Sequence, residues 1–136
     1  MFEKYMICDD GLENVTEGGK VTGFQFNARL PYYRGLGISM VENIWITVDG
    51  EAIPREKIRL RLHGRTYTLD EMEREAEDRW EFGEIATLLA EKPGGLEPGS
   101  HTIFWKVHLR ISYLPFPLYG ESTKQLSLSG QPVAKE

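Results

Sequence analysis

The chain has 136 residues, enough for one domain with a real core and too few for two of ordinary size. Its formal charge of −5 favours solubility and lends nothing to nucleic-acid binding, and no apolar run approaches the roughly 20 residues that cross a bilayer. The acidic opening MFEKYMICDD lacks the charged-then-apolar layout of an export signal, and Cys8, the only cysteine, has no partner for an internal disulfide, so a reducing cytoplasm is the expected location.

Nothing around Cys8 marks it as a nucleophile, and a structural thiol is expected. Phe2 to Ile7 reads as a short strand, broken by Asp9-Asp10-Gly11, and Glu17-Gly18-Gly19 marks a turn. From Lys20 to Leu30 apolar Val21, Phe24, Phe26, Ala28 and Leu30 are interleaved with Gln25, Asn27 and Arg29, the period of a half-buried strand. Gly23 spoils the phase and suggests a bulge; Pro31, with no backbone N–H, ends the strand. The loop Tyr32, Tyr33, Arg34, Gly35, Leu36, Gly37 sets rings beside a guanidinium, which suits a contact surface better than a solvent-facing turn. A strand follows from about Ser39 to Val48, with Met40, Ile44, Ile46 and Val48 on one face. Trp45 and Thr47 fall on the other, so that face is not simply solvated. Asp49-Gly50 is a hairpin signal, because both turn positions need positive φ.

A short return strand ends at Pro54, and Ile58, Leu60 and Leu62 then alternate with Arg59, Arg61 and His63. Gly64-Arg65 turns the chain into a strand over Thr66 to Leu69. Thr68 with Glu71 reads as a capping box opening a helix to about Asp78, polar nearly all round and therefore exposed and weakly packed. Ile85 to Ala90 is a strand and Lys92 to Ser100 a loop. The longest strand is expected over His101 to Tyr113, a central one, with Ile103, Trp105, Val107, Leu109, Ile111 and Tyr113 on one face and Phe104 the exception on the other. Leu114-Pro115-Phe116-Pro117 stops it, Thr123 to Leu128 supplies a last strand, and GQPVAKE frays. Roughly eight short strands and one small helix, with no repeat or linker, predict an all-β chain: a single antiparallel β-sandwich, immunoglobulin- or jelly-roll-like, over residues 1–136.

Chemistry is sparse. There is no phosphate-binding glycine loop, no Gly-x-Ser-x-Gly, and His63, His101 and His108 have no partners at metal-ligand spacing. Two strands can bring His63, Arg59 and Arg61 together with His108, Lys106 and Arg110 on one sheet face able to hold an acidic partner or an anion; solvated strand faces are the default and preferred reading. Glu81 and Glu84 flank Phe82-Gly83 beside Trp80, where a ring can desolvate a carboxylate, but a strand entry with rings inward and glutamates outward explains them more simply. Trp80 with Phe82, and Tyr113 with Phe116, form two further aromatic patches beside loops, read either as core and edge packing or as a rim.

Six stretches together resemble one family: PYYRG (Pro31 to Gly35), VDGEAIPRE (Val48 to Glu56), GRTYTLDEM (Gly64 to Met72), RWEFGEIATL (Arg79 to Leu88), KPGGLEPGSH (Lys92 to His101) and LRISYLP (Leu109 to Pro115). In this order, over Val21 to Pro115, they are similar to the small β-subunit of bacterial C-glycoside deglycosidases. The resemblance implies a heteromeric enzyme. Its larger α-subunit, a TIM-barrel protein related to sugar isomerases and epimerases, would carry a divalent metal, commonly manganese, and the acid–base residues. The β-subunit would be a β-sandwich with no cofactor or catalytic residue of its own, packed against the α-subunit beside the active site. The substrate would be a C-glycoside of a flavonoid or related aromatic, already oxidised at sugar C3, cleaved by enolate formation and β-elimination.

With that frame, Tyr32, Tyr33, Arg34, Trp80, Phe82, Tyr113 and Phe116 are expected at the α-subunit contact or the pocket edge, with no catalytic or metal-binding residue in this chain and no nucleic acid or membrane as partner. The rival readings are a stand-alone carbohydrate-binding sandwich, which would also expose aromatic rings, and an independent metalloenzyme on a small barrel.

Overall fold

The computed structural model describes residues 6–8, 11–29, 35–75, 77–81, 84–110, 118–128 and 133–134. Alternation of apolar and polar side chains shapes nearly every strand. A six-stranded sheet has the order β12-β1-β2-β9-β6-β7, formed by β1 (Glu13–Glu17), β2 (Lys20–Arg29), β6 (Ile58–Leu62), β7 (Arg65–Thr68), β9 (Ile85–Glu91) and β12 (Val133–Ala134). A four-stranded sheet has the order β11-β10-β4-β5, from β4 (Val41–Val48), β5 (Glu51–Ile53), β10 (Gly99–Leu109) and β11 (Leu118–Leu128). Two short strands, β3 (Leu36–Gly37) and β8 (Arg79–Trp80), pair with each other. Pairing is antiparallel throughout except between β1 and β12. The all-β reading holds, and β10 is a central strand as its long apolar row implies.

The inner faces share one apolar core. Phe24, Phe26, Leu60 and Leu88 of the larger sheet belong to the same buried cluster as Ile44, Ile46, Ile103, Trp105 and Val107 of the smaller one. Each such side chain contributes about 1.5–3 kcal/mol on burial, which makes this core the main source of stability. The Asp49-Gly50 hairpin forms as its chemistry dictates, with φ of 49° and 85°. The β2 bulge falls at Thr22, between the pairs Val15↔Gly23 and Thr16↔Val21. Gly23 has a reason of its own to lack a side chain, since a Cβ there would run into the backbone carbonyl of Ala90 on β9.

Three expectations change. The helix, α1, spans Leu69–Arg74 and stops short of Asp78, because the Glu75 carboxylate accepts the N–H groups of Glu77 and Asp78, both at 3.1 Å, that a continuing helix would direct to its own carbonyls. Nor is α1 weakly packed: Leu69 and Met72, three apart and so on one face, are both buried. The turn after β6 is His63-Gly64, with φ of 54° and 77°, so His63 sits at a tip and not in the arginine row of β6. The default reading of the two cationic rows, as outward strand faces, holds, and the rows do not meet. Arg59 and Arg61 are on the outer face of one sheet, Lys106 and His108 on the outer face of the other, with the shared core between. The expected first strand, Phe2 to Ile7, lies mostly outside the described residues, although Ile7 bridges Ala28.

Candidate functional site

The second half of the expected contact loop is not loop: Leu36–Gly37 forms β3 and is stitched to the stretch around Trp80. Leu36 pairs with Trp80 and Gly37 with Arg79. The Ile38 N–H donates to the Asp78 carbonyl at 3.1 Å, and the Arg110 N–H to the Met40 carbonyl at 2.8 Å. Gly35 lies so close to Glu81 that a Cβ would come within 3.0 Å of the Glu81 Cα and strike its carboxylate. The flanks of two of the sequence-predicted aromatic patches therefore meet in space. Tyr32, Tyr33, Arg34, Phe82, Tyr113 and Phe116 themselves lie outside the described residues.

Trp80 is described, and the structure moves it off the surface. Its side chain is fully buried, its ring centroid is 6.1 Å from that of Trp105, and its indole N–H donates to the Glu84 carbonyl at 2.8 Å. A ring with no exposed surface offers a partner nothing to touch; Trp80 anchors the 78–84 segment to the core.

The polar counterpart of this anchor is His63. Its Nδ1 bonds Asp78 Oδ1 at 2.7 Å and its Nε2 bonds Glu84 Oε2 at 2.5 Å. Asp78 is held further by the Tyr67 hydroxyl, which donates to Oδ2 at 2.8 Å, and by the Arg79 N–H at 2.9 Å. Glu84 accepts the Glu81 N–H through Oε1 at 3.0 Å, while its own N–H donates back to the Glu81 carbonyl. The tip of the β6–β7 hairpin is thus clamped to the segment that enters β9.

Electrostatics follow from the geometry. A histidine with a carboxylate at each ring nitrogen is stabilised as imidazolium, so its pKa is raised, first by the bond to Asp78 and then by that to Glu84. For Asp78, burial works to raise the pKa, but the bonds from Tyr67, His63 and the Arg79 N–H together lower it. Burial, with Asp78 alongside, pushes the Tyr67 phenol up to about 12. An imidazolium with both N–H groups committed has no lone pair with which to take a proton, so the cluster is built to hold a shape. Among the described residues no three His, Cys, Asp or Glu side chains are placed to hold a metal ion.

The clamp was hidden from sequence reasoning, since no spacing rule links positions 63, 78 and 84. Its one local signal is His63-Gly64, a pair suited to a left-handed turn tip. A second histidine braces the β4–β5 hairpin: His101 Nδ1 bonds Asp49 Oδ2 and Nε2 bonds the Glu97 carbonyl, each at 2.6 Å.

Residues 2–113 match the family described as C-glycoside deglycosidase beta subunit. The chain belongs to that family. The match contains every residue of the clamp and confirms the resemblance carried by the six stretches. A "C-glycoside deglycosidase beta subunit" of Eubacterium cellulosolvens is 36% identical over 114 residues, covering 83% of this chain and 78% of its own. A "3'-dehydrocarminate deglycosidase beta subunit" of Microbacterium sp is 32% identical over 116 residues, covering 85% and 83%. Among solved structures, the collagen-binding subdomain of the Enterococcus faecalis surface protein ACE aligns over 87% of this chain and 97% of its own, at 11% identity and a TM-score of 0.32, too remote a likeness to argue from.

Proposed function

We propose that the chain is the accessory β-subunit of a carbon–carbon lyase that cleaves 3-oxo-C-glycosides of flavonoids or related aromatics. The observation that carries this reading is the family match over residues 2–113. The relative whose printed name specifies a 3'-dehydro substrate supports the oxidised sugar. A ketone at sugar C3 acidifies the C2–H. A base removes that proton, the pair forms the enolate, and its collapse to a C1=C2 bond expels the aromatic carbon from C1, which takes up a proton as it leaves. The His63 cluster offers no free base for the first step, and the described side chains do not fit a metal ion. Both belong, in this reading, to a TIM-barrel partner subunit, with manganese the expected ion.

This chain contributes a frame. The clamp and the buried Trp80 fix Gly35 and Glu81, the residues that flank Tyr32–Arg34 and Phe82 in sequence. Arg34, a planar five-donor group, is suited to a carboxylate of the partner or to sugar oxygens.

Tagged chain recovered from its source cells should bring down a larger subunit in fixed ratio, and only the pair should release aglycone from a 3-oxo-C-glycoside. Arg34→Ala should lower assembly or turnover at least tenfold, with the melting temperature unchanged. Full turnover by the partner alone would overturn the subunit role, and an Arg34→Ala complex with normal turnover would overturn that residue's part.

A further inference from the structure

The contacts of His63 amount to more than a brace. At the tip of a two-residue hairpin the favoured residues are Asn, Asp and Gly, because both positions need positive φ. A histidine there, at φ of 54°, brings a ring that the turn itself does not require. That ring meets two carboxylates from further along the chain, Asp78 at 2.7 Å and Glu84 at 2.5 Å.

The two bonds together require two N–H groups. An ionised carboxylate only accepts, so each ring nitrogen must donate, and only imidazolium has a proton on both. Neutral imidazole keeps one bond and turns a bare lone pair toward the other carboxylate. The two carboxylates then behave differently. Asp78 stays in place without His63, since the Tyr67 hydroxyl and the Arg79 N–H hold it and its side chain is only 12% exposed. Glu84 Oε2 has no other partner among the described residues, and the Glu84 side chain is 29% exposed. The bond to Glu84 is therefore the one that is lost.

Glu84 restrains a turn. Its other carboxylate oxygen accepts the Glu81 N–H at 3.0 Å, and Glu81 lies against Gly35. The neighbouring Arg79 and Trp80 pair with Gly37 and Leu36, and the Trp80 indole bonds the Glu84 carbonyl, a contact that does not depend on the charge of His63. Loss of one proton thus frees the Glu84 carboxylate and loosens the 81–84 turn, while β3, β8 and the buried Trp80 stay where they are.

We infer that His63 and Glu84 form a proton-operated latch: with His63 charged, the 81–84 turn is locked in the form that the larger subunit binds, and loss of the proton unlocks it and weakens assembly. The inference rests on the subunit role proposed above. The other charged and titratable groups around the clamp do not take this part. Tyr67, its phenol pushed up to about 12, stays protonated near neutrality, and Arg65 is paired with Glu75 and Arg79 with Glu81, each at 3.3 Å. Asp78 first and Glu84 second hold the His63 proton beyond the ordinary histidine range, so the latch is closed near neutrality and opens on the alkaline side.

The test is the affinity of the purified chain for the larger subunit between about pH 7 and about pH 9. Wild-type affinity should fall roughly tenfold over that range, within what coupling to one proton allows. His63→Gln, which cannot titrate, should bind more weakly than wild type at the neutral end and lose no more on the way up. Glu84→Gln is the discriminating variant. Its amide N–H can donate to the lone pair of neutral His63 while its carbonyl accepts the Glu81 N–H, so the latch stays shut without a proton. At the alkaline end Glu84→Gln should bind about tenfold more tightly than wild type. In the isolated chain, exchange of the Glu81 amide, corrected for its intrinsic rate, should quicken toward alkaline pH in wild type and not in Glu84→Gln. His101 is common to all three proteins and cancels. One pH profile shared by wild type and both variants, or a Glu84→Gln chain that loses affinity as steeply as wild type, would overturn the latch and leave the subunit role standing. Failure of the unmutated chain to bind any larger subunit across the range would overturn both.

Discussion

At the scale of single residues, His63 makes the sharpest claim. Its pKa is raised in the folded state, so its contribution to stability is full below the unfolded value of about 6.5 and is lost as pH rises through the folded value. Asp78 has the opposite sign: its pKa is lowered, so its contribution is present above the unfolded carboxylate value of about 3.9 and is lost as pH falls through the folded one. The clamp is therefore strongest between those limits. Comparing His63→Gln with wild type by thermal unfolding from about pH 6 to about pH 9 should show a melting-temperature gap that is widest at the acid end and shrinks toward the alkaline end. His101, also raised, remains in both proteins: burial opposes its charge, but the bonds to Asp49 and the Glu97 carbonyl outweigh that. Its effect cancels in the comparison. Parallel curves over the whole range would show that His63 is not held as imidazolium.

At the scale of elements, the chemistry of chain ends was legible and their packing less so. Thr68 and Glu71 form the capping box their spacing announces, with the Glu71 N–H donating to Thr68 Oγ1 at 3.1 Å and the Thr68 N–H to Glu71 Oε1 at 2.8 Å. Thr68→Ala should cost about 1 kcal/mol in a urea titration and Thr68→Ser only a small part of that, because serine keeps the acceptor. A loss well beyond about 2 kcal/mol would mean that Thr68 does more than cap. What the sequence reading missed was the inward face of α1. Leu69 and Met72 are two apolar residues within a charged run, too few to register as a stripe yet three apart and so able to enter the core together. The first half of β11 was missed for a related reason. Strand β11 lies at the edge of its sheet, and its early residues include exposed Tyr119 and Glu121, so burial leaves little pattern there. Its inward position opposite Trp105 is filled by Ser122, whose small side chain leaves room for the indole but reads as polar.

At the scale of the molecule, alternation tells which side of a strand faces inward but not which sheet the strand joins. That gap is why alternation alone leaves open a shared face for Arg59, Arg61, Lys106 and His108, although a core lies between them. It is also why the clamp stayed hidden, for it unites a hairpin tip with a segment met only through tertiary pairing. The same topology carries a thermodynamic consequence. The chain runs from β1 and β2 in the larger sheet to β4 and β5 in the smaller, back to β6, β7 and β9, across again to β10 and β11, and returns at β12. No contiguous half of it can keep a complete sheet, and each inner face is covered by the other within one buried cluster. We therefore expect the sandwich to unfold as a unit. In urea, far-UV circular dichroism reports the strands, while tryptophan emission reports mainly Trp80 and Trp105, which are fully buried, since Trp45 is already exposed and changes its surroundings least. The two probes should give one midpoint and one slope. A tryptophan transition that precedes the loss of strand signal would show that the β3–β8 end, with Trp80 and the His63 clamp, opens before the sheets part; the frame proposed for the partner contact would then be a separable element and not an extension of the core.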